Sequence, residues 1–288
     1  MWYITSGNLQ SISPLRTLQS ADRVLPLYTP DALSALGEQS FGAAAAQCCN
    51  RLFGCRMDAR DVEFALGRSP MELSCLGHRA LAAEPWHNPG RSFSWAVRRM
   101  TARILGIPEE TANPTQWGTI AVGIALLAGM SALLKGRGIS GEIDLAILAG
   151  DFTLPMAAYY ARRMGLPIGS IICACCEHLA LWELFHRGEV SSACPPCAEL
   201  LLYDCLGAEE AERFSTGEAY ALSAEQTKLL RSCMSVYVIG QKRAELLAAT
   251  SYPSGGIPGA CAYAALLDHR ACGASTRQAV VFSPEATH

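Results

Sequence analysis

Lysine is nearly missing from this sequence. Three occur in 288 residues, Lys135, Lys228 and Lys242. Arginine therefore carries most of the positive charge, and chemistry that requires a lysine amine has three places to happen. Neither sign of charge is in excess, with a formal net charge of −3 and a pI of about 6.1. That balance gives no footing for nucleic acid or an anionic membrane, and neither is expected as a partner. The opening residues, Met1-Trp2-Tyr3-Ile4-Thr5-Ser6-Gly7-Asn8, hold no basic region and no apolar run, so no signal peptide is read there. The longest apolar stretch, Ile120 to Leu134, contains two glycines and a serine. It falls short of the roughly 20 residues a membrane span needs, and predicts a buried helix instead.

What is plentiful is apolar side chain, 50% of the residues, enough to bury a sizeable core. Cysteine is also frequent, at 13. A chain of this size does not need disulfide staples, and with no secretion signal the cysteines read as reduced, mostly buried thiols of a cytoplasmic protein.

Helix punctuation dominates the first third. Thr29-Pro30-Asp31 is a cap with proline at the first helical position, Asp58 can cap a helix over 59–66, and Ser69-Pro70-Met71-Glu72 has capping-box spacing. A helix over Phe93–Leu105, with Arg98, Arg99 and Arg103 on its polar side, is ended by Gly106 and Pro108. The stretch from Ile107 to Gln116 is the most linker-like in the chain. The centre is clearer. Ile143–Leu148 is a short apolar run between glycines, as a buried parallel strand would be. A helix over Pro155–Met164 follows, closed by Gly165, and Ser170–Ala174 returns as a second buried strand. Further on come a helix over 178–187, a capping box at Ser223 to Gln226, a helix over 258–270 and a closing strand over 278–283. The alternation predicts an α/β fold with a mostly parallel sheet flanked by helices.

Two places could carry chemistry on these grounds. Gly150-Asp151-Phe152-Thr153 joins a strand to a helix, where backbone N–H groups and the helix dipole can hold an anion; a plain tight turn is the alternative. Cys194-Pro195-Pro196-Cys197 has metal-clip or redox spacing, with Cys173, Cys175, Cys176 and His178 as further ligands, against ordinary buried thiols.

The segment Ala149–Val190, AGDFTLPMAAYYARRMGLPIGSIICACCEHLALWELFHRGEV, resembles the threonine synthase family of pyridoxal-phosphate enzymes. That family has SGNFG, a helix ending in a Gly-Leu-Pro turn, a strand reading ICATN, and a further helix. Tyr3-Ile4-Thr5-Ser6-Gly7 and Leu25-Pro26-Leu27-Tyr28-Thr29-Pro30 are similar to its opening blocks, Gly259–Ala265 to a late helix and Gln278–Pro284 to its last strand. The blocks run in family order from end to end. The resemblance implies a type II pyridoxal-phosphate fold, tryptophan synthase β-like, with an N-terminal region over 1–78 and an α/β core over 79–288.

The same resemblance marks what has changed. The family's Schiff-base lysine lies in H-G-P-T-L-A-F-K-D, and here Pro85–Ala96 takes that place. His87, Pro89 and Phe93 match, but Ser94 stands for the lysine and Trp95 for the aspartate. A serine hydroxyl cannot form an imine with an aldehyde. The family's G-N-F-G phosphate loop has become Gly150-Asp151-Phe152-Thr153, with a carboxylate that repels a phosphate dianion. Asn113 follows Ser94 by only nineteen residues, so the family's small subdomain is expected to be deleted. Ser283 stands where a Ser or Thr would bond the pyridine nitrogen.

The expected protein is thus a threonine synthase-like pseudoenzyme with no cofactor and a vestigial site at His87, Ser94, Gly150, Asp151, Phe152, Thr153 and Ser283. It would act by association, as a homodimer or with a genuine threonine synthase homologue. One alternative keeps pyridoxal phosphate and the family's lyase reaction, O-phosphohomoserine to threonine, with an atypical site. A second is a cysteine-cluster metal-binding protein through Cys194 and Cys197.

Overall fold

The computed structural model describes residues 2–5, 11–19, 24–27, 32–34, 40–68, 71–77, 79–85, 92–176 and 179–282. The chain divides into two compact units. The first comprises Met1–Glu72, Pro85–Glu142 and Tyr160–Ile168, and the second Leu73–Glu84, Ile143–Tyr159 and Gly169–His288.

In the first unit a small antiparallel sheet has β1 (Trp2–Thr5) between β2 (Ser11–Ile12) and β3 (Val24–Leu27). Four helices follow: α1 (Phe41–Phe53), α2 (Ala59–Leu66), α3 (Phe93–Leu105) and α4 (Gln116–Gly136). The apolar run expected to be a buried helix lies in α4. Its length and composition would suit a membrane crossing, yet it is buried within the protein, Trp117, Ile120, Leu126 and Leu134 among its core residues. A helix apolar on every side belongs in a core, where neighbours cover the whole circumference. Thr115 starts it, its hydroxyl accepting the Gly118 N–H at 2.9 Å.

The α1 helix packs against α4, and its alanines permit close approach. Where the two meet, a Cβ built on Gly129 would lie 2.7 Å from the Phe41 ring. Cys48 and Cys49 are fully buried in α1, and burial pushes both thiols up, away from the reactive thiolate.

The cap at Asp58 is present as a full capping box with Asp61. The Asp58 N–H, followed by the Arg103 guanidinium, holds the Asp61 carboxyl below the usual carboxylate range. The α3 helix has the expected bounds, and Gly106 closes it with φ +66°, a conformation that favours glycine.

Two expectations for this region need correction. Ile107–Gln116 is no linker between units, since it lies inside the first one. It holds a 3-10 turn at Glu109–Thr111, and Glu109 is ion-paired to Arg98 at 3.2 Å and Arg99 at 2.9 Å. The capping-box spacing at 69–72 starts no helix. Met71–Gly77 is a strand, β4, whose Met71 and Leu73 are buried either side of exposed Glu72, a period of two. The cap at Thr29-Pro30-Asp31 lies outside the described residues.

The second unit is the α/β part. Its six-stranded sheet has the order β10-β7-β6-β11-β5-β4, with β5 (Ala80–Pro85), β6 (Ile143–Leu148), β7 (Ile168–Cys175), β10 (Ser235–Val238) and β11 (Ala279–Phe282). Parallel pairs join β11 to both β5 and β6, and β10 to β7. Neighbouring strands β6 and β7 also run the same way. Near their starts Ser170 N–H meets the Asp144 carboxylate, and past the end of β6 Ala149 N–H meets the Ala174 carbonyl. A short pair, β8 (Glu189–Val190) with β9 (Tyr220–Ala221), stands apart from this sheet.

Helices α5 (Thr153–Arg163), α6 (Leu179–Arg187), α7 (Ala198–Leu206), α8 (Ala208–Ser215), α9 (Ala224–Cys233), α10 (Gln241–Thr250) and α11 (Gly256–Ala271) complete the order. Cys261, Ala262 and Ala265 of α11 share a buried cluster with Ala82, Ala146, Ile172 and Val281 of the sheet. Asp144 is fully buried in β6; it accepts Ser170 N–H at 3.0 Å and faces the Arg277 guanidinium at 3.6 Å. The mostly parallel sheet flanked by helices is the architecture the sequence predicted.

Gly129→Ala tests the α1–α4 contact. Alanine gains up to about 1 kcal/mol of helix propensity, but displacing a buried ring costs about 1–3 kcal/mol. The variant is expected to unfold at lower denaturant concentration than the native chain, with an unchanged slope.

Candidate functional site

Parallel strands end on one edge, and the loops that leave this edge are where open α/β sheets usually place ligands. In the second unit the carboxyl ends of β6, β7 and β10 are side by side. Ala149 N–H bonds the Ala174 carbonyl at 2.8 Å, and Ile239 N–H bonds the Cys175 carbonyl at 2.9 Å. Three connections start there: the turn 149–153 into α5, Cys176 after β7, and Gly240 into α10.

The turn is the legible part. Gly150 has φ +49° and Phe152 φ +70°. A left-handed phenylalanine costs roughly 1–2 kcal/mol. The fully buried Phe152 ring, edge-on to Phe185 with centroids 6.5 Å apart, offsets that cost. Asp151 is exposed, and its Oδ1 accepts the Thr153 N–H at 3.0 Å and the Thr153 hydroxyl at 2.6 Å. The chain thus caps its own helix with a carboxylate.

An anion at a helix N-terminus is held by first-turn N–H groups that have no other acceptor. Here several of those donors are engaged or missing. Phe152 N–H bonds the Ala149 carbonyl at 2.7 Å, Thr153 N–H bonds Asp151, and Pro155 has no N–H. Leu154 is the first-turn amide left outside these arrangements, with the Asp151 charge beside it. The turn thus presents a carboxylate of its own to any anion that approaches it.

Gly150, Asp151, Phe152 and Thr153 therefore do come together, but as a closed turn. Ser94 lies in the first turn of α3, exposed, and belongs to the first unit. Ser92, two residues earlier, caps that helix by accepting the Trp95 N–H at 3.2 Å. His87, His178, Arg91 and Ser283 lie outside the described residues. Of the lysines, Lys135 is in the last turn of α4, Lys228 is exposed on α9, and Lys242 is exposed in the first turn of α10. The start of α10 follows β10 directly, so Lys242 stands in the connection that leaves the sheet edge described above. Lys242 has no such place in the sequence pattern, where neither β10 nor α10 carries a strong signal. The run Val236-Tyr237-Val238-Ile239 before Gly240 was the available signal.

The cysteines depart from the sequence reading in two ways. Cys176, at the end of β7, is disulfide-bonded to Cys261 in α11, although all thirteen were expected to be reduced. The metal reading through Cys194 and Cys197 is not supported: among the described residues no group of three or more His, Cys, Asp or Glu side chains could hold an ion. Both are buried, the Cys194 thiol donates to the Ala180 carbonyl at 3.6 Å, and burial raises it above the ordinary thiol range. Cys173 is likewise engaged, with Met234 sulfur at 3.7 Å.

The first unit has an open depression of about 410 Å³ lined by Phe64, Arg99, Arg103, Ile107, Pro108 and Glu109. Its arginines are matched by acids, Arg99 by Glu109 and Arg103 by Asp61, so the polar face of α3 does not present a row of open cations.

No protein-family profile and no curated protein matches the chain. Solved structures do, at the level of fold. The pyridoxal-phosphate-bound threonine synthase of Brucella melitensis superposes with a TM-score of 0.74 and 14% identity, over 100% of this chain and 89% of that one. Yeast threonine synthase gives 0.74 and 12%, over 98% and 87%. The Escherichia coli threonine synthase gives 0.72 and 11%, over 100% and 88%. The chain therefore has a threonine synthase-like fold.

Asp151→Ala removes the acceptor for both Thr153 hydrogens. It is expected to lower stability by about 1 kcal/mol, within the 0.5–2 kcal/mol of a lost N-cap, while Asp151→Asn, which keeps an acceptor oxygen, should lose less. Thermal unfolding of the pair distinguishes a cap from an idle surface charge.

Proposed function

We propose that this protein is a non-catalytic relative of the threonine synthases, a threonine synthase-like fold without pyridoxal-phosphate chemistry, whose role is association. The observation that carries the reading is the turn at 149–153, whose Phe152 and Thr153 N–H groups are engaged and whose exposed group is a carboxylate. The resemblance of Pro85–Ala96 to the lysine motif, with Ser94 in the lysine position, supports it from the sequence side. So does the short path from Ser94 to α4, which holds only the rest of α3 and the turn at Glu109–Thr111. The same proposal takes residues 1–78 as the N-terminal region and 79–288 as the reduced core, in a cytoplasmic protein. Its partner would be a second copy or a genuine threonine synthase.

A second reading keeps the cofactor and moves the amine. Lys242 favours it, as the lysine at the start of α10 beside the sheet edge. The lyase reaction would then run on a site unlike the family's.

Titration of the purified protein with pyridoxal phosphate, followed by absorbance, borohydride reduction and intact mass, separates the two. The expected result is no chromophore and no stoichiometric adduct, with Ser94→Lys equally inert. A stoichiometric reduced adduct on Lys242, Lys135 or Lys228 overturns the non-catalytic reading, as does release of phosphate from O-phosphohomoserine in the presence of pyridoxal phosphate. Sedimentation of the chain alone and mixed with a threonine synthase reads the association; a monomer in both would remove that role.

A further inference from the structure

Away from the sheet edge, the second unit brings two thiols into contact. Cys205 is the next-to-last residue of α7 and Cys233 the last of α9. Their sulfurs are 3.2 Å apart, and neither is bonded to another cysteine. Both are half-buried, so solvent and small molecules reach them while neighbours fix their positions. The Tyr159 hydroxyl is 3.7 Å from the Cys205 sulfur, and the Cys233 thiol can donate to the Leu229 carbonyl at 3.4 Å. A disulfide needs a sulfur–sulfur distance of about 2.05 Å, so the sulfurs must close by roughly 1.2 Å. Each belongs to the final turn of its helix, the part whose carbonyls lack intrahelical partners and which gives most readily.

We propose that Cys205 and Cys233 form a thiol–disulfide exchange site that reacts with low-molecular-weight disulfides and closes to an internal bridge. In the first step the Cys233 thiolate attacks one sulfur of the external disulfide. A bond forms from Cys233 to that sulfur, the external S–S bond breaks, and the other half leaves as thiolate and takes up a proton. In the second step the Cys205 sulfur, its proton released to solvent, attacks the Cys233 sulfur and expels the remaining half as a second thiol. Two protein thiols are oxidised by two electrons, and one external disulfide is reduced to two thiols.

The division of roles follows from the surroundings. The hydrogen bond between the sulfurs and then burial push the Cys205 thiol up, which favours Cys233, the last residue of its helix, as the attacking sulfur. Burial also raises the Tyr159 phenol, which remains protonated beside Cys205. The pair lies 28 residues apart in the chain. Its closure ties the end of α7 to the end of α9, from which β10 continues into the sheet. This proposal is independent of whether the protein has a catalytic role.

The test uses the full chain with oxidised glutathione at neutral pH, acid quench, alkylation and peptide mass mapping. The expected product is a Cys205–Cys233 bridge, with two hydrogens lost and no glutathione retained. In Cys205→Ser, glutathione should stay on Cys233 as a mixed disulfide, and in Cys233→Ser, Cys205 should stay a free thiol. The proposal is overturned if exposed Cys75 and Cys272 take up glutathione while Cys205 and Cys233 are both alkylated as free thiols. A bridge from either to a third cysteine overturns it as well. The native-chain map needs no variant, so a misfolded substitution does not obscure the result.

Discussion

A strand in the middle of a sheet has to satisfy two ladders of backbone hydrogen bonds, and when it is sealed from water nothing else can do so. In the second unit that strand is β11, a strand of four residues late in the sequence. Ala279, Val280, Val281 and Phe282 are all fully buried, with β6 on one side and β5 on the other. Without it, segments from residues 80–85 and 143–148 would be two unpaired edges. The buried Asp144 works on the same constraint. Its carboxylate takes a backbone donor from β7 and faces a guanidinium from the segment just before β11, so a register slip would strand a charge in the core.

Once the sheet is fixed, its carboxyl edge is fixed too, and the character of that edge rests on one residue. A glycine in place of Asp151 would leave the Thr153 donors without this acceptor and open to an anion. An aspartate there accepts hydrogen bonds from the chain itself and leaves its charge at the surface. The same turn geometry can thus serve a ligand or serve the helix, and in this chain the side-chain oxygens serve the helix.

Legibility from the sequence followed locality. The strands β6 and β7, helices α3, α5, α9 and α11, and β11 could be read, because two-sided apolar runs, glycine stops and capping boxes are short-range signals. The strands β4 and β5 could not. Ser69 to Glu72 imitates a helix start, and Ala80–Pro85 has little intrinsic preference; its strand state comes from pairing with β11, almost two hundred residues onward in sequence. The turn at Asp151 was located and its repulsive charge read, but not the two hydrogen bonds that occupy it. The contact of Cys205 with Cys233 and the bond of Cys176 to Cys261 left no trace in spacing, since each joins elements whose packing only the whole unit decides.

The buried α4 has a consequence for how the chain is made. Emerging alone, a helix apolar on every side presents the kind of segment that membrane-insertion machinery and aggregating neighbours recognise. The helices that pack on it, α1 and α3, lie upstream in the chain. Phe41, whose ring occupies the space beside Gly129, is synthesised almost ninety residues earlier. Synthesis from the N-terminus therefore delivers the cover before the surface that needs covering, and a circular permutation that placed α4 first would reverse that order.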